Sequence, residues 1–202
     1  MAGCIQRNEI LRITPLLDGW SKVVRIDYRQ LRRDGTWQLQ DRDLLNRGDG
    51  ATVLLFNRYR RTVLLVRQPR IIATMHGFDD GETIEACSGQ VDGGDPLDAA
   101  IREVDEEVGH RIQHLVPVGK VYASPGASLE IIHLFLGEYD DSTSLSAGGG
   151  KLEEGEDIEV LEVSIEQAMR WIEEGVIRDA RTILVLQYAH IHKIFDREND
   201  ST

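Results

Sequence analysis

Fifteen residues, 95–109, leave this chain little freedom. Asp95 is a preferred helix N-cap, and Pro96 suits the first helical position, where a missing N–H costs nothing. Gly109 supplies the left-handed residue that ends a helix. Between these signals Leu97, Ala100, Ile101, Val104 and Val108 recur at helical spacing. The spacing predicts a helix over 96–108 with that stripe buried. Glu103, Glu106 and Glu107 stand at i, i+3 and i+4, so they share a different face.

Strand patterns surround this helix. Residues 20–31 (WSKVVRIDYRQL) read as a strand, Arg33-Asp34-Gly35 as its turn, and 37–45 as its return. Apolar strands are expected at 51–56 and 62–68, then at 83–91, 115–122, 130–139 and 158–163. The stretch 140–155 is rich in Gly, Ser and acid and reads as a mobile loop. Ser164 caps a helix to about 174, and Asp179 caps a last one to about 194. The order predicts an α/β fold, a mixed sheet sandwiched by helices. Residues 1–47 are expected to form a separate antiparallel β unit, and 48–202 the main domain.

Charge narrows the partners. Lys and Arg number 23 against 35 Asp and Glu, a formal −12, which argues against a nucleic-acid partner held by a broad basic face. An anionic membrane surface is disfavoured for the same reason. The longest apolar runs are four residues, such as 53–56, far short of the roughly 20 that span a bilayer. Cys4 and Cys87 lack metal-ligand spacing, so a reducing compartment is expected. The opening MAGCIQRNEI lacks the apolar stretch of a secretion signal, which makes the cytoplasm the expected location.

An acidic pair on an amphipathic helix is by itself an ordinary solvated face. Three carboxylates on one face repel, and hard divalent cations, which prefer oxygen ligands, relieve that repulsion. Held beside a diphosphate, such cations would neutralise its charge and acidify a water. An acidic divalent-ion buffer also fits the Asp and Glu count, though it has no use for the ordered Gly, Pro and Arg positions.

At these residues the sequence resembles the Nudix hydrolases, whose box reads G-x5-E-x7-R-E-U-x-E-E-x-G-U, with U apolar. Gly89 stands for the first glycine, and residues 102–109 (REVDEEVG) match the core. The spacing from Gly89 to Arg102 is one residue short, Asp95 stands where the family has its upstream Glu, and His110 replaces an apolar residue. Pro125 follows Gly109 by sixteen residues, within Ser124-Pro125-Gly126, a mark of the branch that cleaves ADP-ribose and related nucleotide sugars. The segments RGDGATVLLFN, LLVRQPR, SPGASLEIIHLFLGEY, AGGGKLEEGEDIEVLEV and GVIRDARTILVLQY are similar, in order, to members that cleave GDP-mannose.

The resemblance implies a Nudix α/β/α sandwich with an N-terminal antiparallel β extension. It also implies Mg²⁺, with Mn²⁺ as the alternative ion, held by Glu103, Glu107, Glu156 and the carbonyl of Ser88, with Glu106 assisting. Arg102 orients a box glutamate, and Glu107, Glu156 and Arg102 form the catalytic set. Substrate contacts fall on Trp20, Arg42, Arg70, Glu130 and Arg181. Arg181 stands where those relatives carry lysine, and Asp43 where they carry glutamate. The implied reaction is hydrolysis of a nucleoside diphosphate sugar, GDP-mannose to GMP and mannose 1-phosphate. ADP-ribose or another ADP-sugar is the alternative substrate, and a non-catalytic nucleotide-sugar sensor the alternative of another class. A homodimer is implied, its N-terminal strands reaching the partner.

Overall fold

A computed structural model describes residues 6–78, 80–151, 153 and 155–196. Cys4 and Glu154 lie outside the described residues. The chain divides into two compact units. One is the stretch up to Asp49 together with Tyr122–Ile131; the other is Gly50–Val121 with the chain from Ile132 onward.

The first unit holds a three-stranded antiparallel sheet in the order β1-β2-β3, from β1 (Asn8–Asp18), β2 (Lys22–Leu31) and β3 (Trp37–Asn46). Arg32 N–H donates to Thr36 O across the β2–β3 turn (2.8 Å), and Asp34 accepts from the Thr36 N–H and hydroxyl (2.9 and 2.6 Å). Opposed charges pin the register: Glu9 faces Arg29, Arg12 faces Asp27 and Arg25 faces Asp43. Strand β1 was not expected. Its register shifts between Ile10 and Arg12 and again between Pro15 and Leu17, which breaks the alternation that announces a strand. Pro15 is tolerated because β1 is an edge. The segment 122–131 joins this unit through Leu45, whose N–H donates to Ala127 O and whose carbonyl accepts from Leu129 N–H (both 2.9 Å).

The second unit is built on a seven-stranded mixed sheet, with path β10-β5-β4-β9-β8. Here β4 is Asp49–Asn57, β5 Thr62–Pro69, β8 Leu115–Tyr122, β9 Ile131–Glu138 and β10 Glu159–Ser164. Strand β4 runs parallel to β9 and antiparallel to β5, so it is buried on both faces and reads as one apolar run. Alternation sorts its side chains. Leu54 and Phe56 pack with α3 (Ile165–Glu173) and α4 (Ala180–Ile191); Val53 and Leu55 pack with Ala100 and Val104 of the box helix. The expected sandwich of helices about a mixed sheet is the fold observed.

The helix caps act as read. Asp95 accepts from Leu97 N–H, Ser164 from Gln167 N–H and Asp179 from Thr182 N–H. Four local expectations are corrected. The strand expected over 83–91 is two, β6 (Glu82–Glu85) on β5 and β7 (Cys87–Val91) on β4. They part at Ala86, whose N–H donates to Thr182 Oγ1 (2.7 Å) rather than to a strand. A five-residue helix, α1 (Ile71–Met75), is too short to leave a periodic signal. The helix expected over 96–108, α2 (Pro96–Glu103), is shorter and widens into a π-type turn over Val104–Val108. Leu97, placed in the buried stripe, is exposed because it lies in the first turn. No helix among the described residues is long and apolar enough to cross a membrane.

Candidate active site

Glu103 at the end of helix α2, Glu107 in the π-turn and Glu156 in the loop before β10 form one electrostatic group. Glu103 is 8% and Glu107 3% exposed. Gly89 makes room for the first: a Cβ there would overlap the Glu103 carboxyl. Glu107 Oε2 accepts from Ser88 N–H (3.1 Å), and the Cys87 thiol also donates to this carboxyl. Burial nevertheless pushes Glu107 up to about 7; the Cys87 and Ser88 hydrogen bonds oppose the rise, and the charges of Glu103 and Glu156 add to it. Glu103 is also raised, first by burial and then by Glu106 and Glu156, against the pull of Arg102 and Lys151.

Arg102 straddles two box glutamates. It reaches Glu103 Oε1 at 3.0 Å and Glu106 Oε2 at 3.5 Å, and it donates to Gln90 O (3.2 Å). Glu106 Oε1 also takes Lys151 Nζ at 2.8 Å. Asp95 spends its side chain on the cap of α2, which leaves it no part in the carboxylate group.

The run expected to be a mobile loop is tied to this helix. Gly109 O accepts from Leu145 N–H (2.8 Å) and Ser146 N–H (3.2 Å). Carbonyls at the π-turn accept the next donors, Gly149 N–H on Glu107 O (3.0 Å) and Gly150 N–H on Glu106 O (3.1 Å). Gly148 must be glycine: its φ is +70°, and a Cβ would strike the Glu107 carbonyl. Beyond the strap, Lys151 N–H donates to Glu156 Oε2 (2.7 Å). His110, where the box has an apolar residue, holds the loop's start through Nδ1 to Thr143 Oγ1 (2.9 Å). Lys151 and the glycines 148–150 were not singled out from the sequence, though the consecutive glycines were visible there.

Among the described residues no three His, Cys, Asp or Glu side chains are gathered closely enough to hold a metal ion as they stand. The donor set still fits a hard divalent cation. It is all oxygen, partly buried and mutually repelling, and its most buried member is pushed up to about 7 first by burial and then by the neighbouring carboxylates.

A third buried glutamate sits on the same unit. Glu85, at the end of β6, is 4% exposed. Arg70 grips it with a fork, Nε to Oε1 at 2.9 Å and Nη2 to Oε2 at 2.8 Å. Thr83 Oγ1 donates to Oε1 (2.5 Å), and Arg181 Nη2 reaches Oε2 at 3.5 Å. Arg181 Nε is fixed by the α4 cap, Asp179 (3.1 Å). Burial alone would raise the Glu85 carboxyl, but Arg70, Thr83 and Arg181 together hold it below its ordinary value. Glu85 was missed because its charged partners, Arg70 and Arg181, lie far away in sequence.

Of the remaining expected contacts, Trp20, Arg42 and Glu130 belong to the first unit. Trp20 is 86% exposed, with the Arg47 guanidinium 4.4 Å from its ring centroid. Arg42 donates to Asp41 O (2.7 Å), and the Glu130 N–H donates to Ser128 Oγ (3.1 Å).

A capped helix carrying paired glutamates against a mixed sheet defines a class, and comparison with known proteins agrees on which. The profile of the NUDIX domain matches residues 46–184. The chain belongs to the Nudix family and is a Nudix hydrolase. Among its relatives, the GDP-mannose pyrophosphatase of Cronobacter sakazakii is 39% identical over 188 residues, 93% of this chain and 97% of that one. The protein of the same name from Citrobacter koseri is 38% identical over 92% and 96%, and that of Escherichia coli O1:K1 39% over 95% and 99%. Nudix enzymes typically work with a divalent metal.

Proposed function

We propose that this chain hydrolyses the diphosphate bond of a nucleoside diphosphate sugar, GDP-mannose to GMP and mannose 1-phosphate, as a cytoplasmic Mg²⁺-dependent enzyme. The observation that carries the reading is the electrostatic grouping of Glu103 and Glu156 about the buried Glu107. Similarity to GDP-mannose pyrophosphatases along nearly the whole chain supports the substrate. The free, buried thiol of Cys87 accords with a reducing compartment.

Glu103, Glu107, Glu156 and the Ser88 carbonyl would hold the ion, with Glu106 assisting. When bound, the ion neutralises the diphosphate and acidifies water. The chain's own residues do the rest. Arg102 keeps the Glu103 and Glu106 carboxylates aimed. Glu156, whose Oε1 bonds to no described residue, orients the attacking water and accepts its proton. Arg70 and Arg181 receive phosphate oxygens. Trp20 stacks on the base, and Arg42 and Glu130 contact the nucleotide sugar, in a homodimer whose 1–47 units reach the partner.

One assay tests this: Mg²⁺ with GDP-mannose, ADP-ribose, ADP-glucose and a dinucleoside polyphosphate, products identified. GMP and mannose 1-phosphate at the highest kcat/KM is the expected result. A higher value for ADP-ribose would move the substrate assignment. Ligand binding by calorimetry with no products would make the chain a sensor. Sedimentation that finds a fully active monomer would remove the dimer.

A further inference from the structure

We infer that Glu85 is a positioning residue that presents Arg70 and Arg181 as a two-armed clamp for the diphosphate of the substrate. The inference rests on the substrate class proposed above but assigns a role to a residue that reading leaves unused. A buried glutamate near the site has three possible uses: to hold an ion, to carry a proton, or to aim its neighbours. Glu85 is fitted only for the third. Both its oxygens are spent on protein donors, Oε1 on Arg70 Nε and Thr83, Oε2 on Arg70 Nη2 and Arg181 Nη2. Its carboxyl is held below its ordinary value, the opposite of a proton carrier at neutral pH.

What Glu85 does to its partners is geometric. A guanidinium has five N–H groups in a rigid plane. Glu85 takes the Nε/Nη2 edge of Arg70, while Asp179 and Glu85 take the Nε and Nη2 of Arg181. Neither Nη1 bonds to a described residue, and the side chains keep 41% and 29% of their exposure. One carboxylate thus fixes the inner edges of two cations that would otherwise repel each other and splay. The Nη1 groups are left for a ligand carrying two linked anions, which suits a diphosphate better than a lone carboxylate. The anchor is also braced. Ala86, next in the chain, donates its N–H to Thr182 Oγ1, and Thr182 Oγ1 donates to Asp179 Oδ2, the cap that holds Arg181. Two residues on, Ser88 N–H holds Glu107. The same short stretch therefore sets the arginines and the box carboxylate in one frame.

The test uses full-length enzyme and two probes, the nucleotide sugar and inorganic diphosphate. E85Q keeps the shape of the side chain and removes its charge. KM for the nucleotide sugar and Kd for inorganic diphosphate by calorimetry should each rise about tenfold or more, while kcat changes less than about threefold. Mn²⁺ affinity by titration should be unchanged. In an R70A, R181A background E85Q should have no further effect, since a residue acting through the arginines has nothing left to act on. An equal loss in that background, or a fall in kcat with KM unaltered, overturns the inference. Should E85Q not fold, E85D is read the same way, and failure of both to fold makes Glu85 a fold residue and ends the proposal. A wild type that cleaves no nucleotide sugar defeats the reading in the preceding section instead, and the clamp is then judged on inorganic diphosphate alone.

Discussion

Glu107 and Glu85 are both enclosed almost completely by protein, at 3% and 4% exposure, yet their carboxyls are pushed in opposite directions. Glu85 meets two guanidiniums and a hydroxyl, and is held low. Glu107 meets an amide, a thiol and two further carboxylates, and is held near 7. Burial is common to both; the difference lies in who faces them. Glu85 has its counter-charges within the chain. Glu107 faces further carboxylates instead, and on the function proposed above a cation would supply its counter-charge. Replacing Glu107 should therefore break function and spare the fold. E107Q is expected to lower turnover on the order of a hundredfold or more, with a melting temperature in chelator equal to or above the wild type's. Turnover near normal would remove Glu107 from the mechanism.

The comparison also fixes a pH window. For Glu107 the folded value, about 7, lies above the ordinary 4.5. Between those values the folded chain keeps a proton that the unfolded chain has released. Its contribution is fully present below pH 4.5 and is lost as pH rises through 7. The loss is on the order of 3 kcal/mol. Glu85 runs the other way: its contribution is present above 4.5 and is lost as pH falls below that. Denaturant titrations in chelator at pH 5 and pH 7.5 should show the wild type losing more stability than E107Q over that interval, and Mg²⁺ at pH 7.5 should narrow the gap. Parallel changes in the two proteins would mean that Glu107 is not the strained group.

A smaller effect tests how Glu156 is delivered to the Glu107 side. G148A forces a left-handed backbone onto alanine and drives its Cβ toward the Glu107 carbonyl. The expected cost is about 1–2 kcal/mol from the backbone alone. Turnover should fall about tenfold or more as Glu156 loses its place. Full activity with lowered stability would show that Glu156 reaches its post without the glycine strap.

Local signals account for what could be read in the sequence. Asp95, Ser164 and Asp179 announced three helices because a cap is a bond within three residues. The box glutamates were legible because their spacing is helical. Glu85 was not, since its charged partners lie 15 and 96 residues away and no periodicity links them. The break at Ala86 was hidden likewise, because the hydroxyl that takes its N–H comes from α4. Strand β1 escaped for a different reason: its register shifts scramble the alternation, and its apolar side chains Ile10, Leu11, Ile13, Leu16 and Leu17 stay exposed in the chain. The π-turn left no mark because Val104–Val108 keep the apolar spacing of a helix, and the loop glycines that take up the carbonyls of Glu106 and Glu107 lie far along the chain.

The least effect is expected where the Arg70–Glu85 fork is repeated at the surface. Arg25 donates to Asp43 through Nε at 2.7 Å and Nη2 at 2.8 Å, geometry as good as that of the buried pair. Both side chains, however, keep 44% of their exposure. In water the ions lose little solvation on pairing and little on parting, so the bond adds register rather than stability. D43N should leave the melting temperature unchanged within error, whereas E85A, which takes the buried partner from two half-buried arginines, should lower it by several degrees. The same hydrogen bonds thus serve as a probe of their surroundings. If D43N cost as much as E85A, hydrogen-bond geometry rather than enclosure would govern these pairs, and the contrast between Glu85 and Glu107 would need another cause.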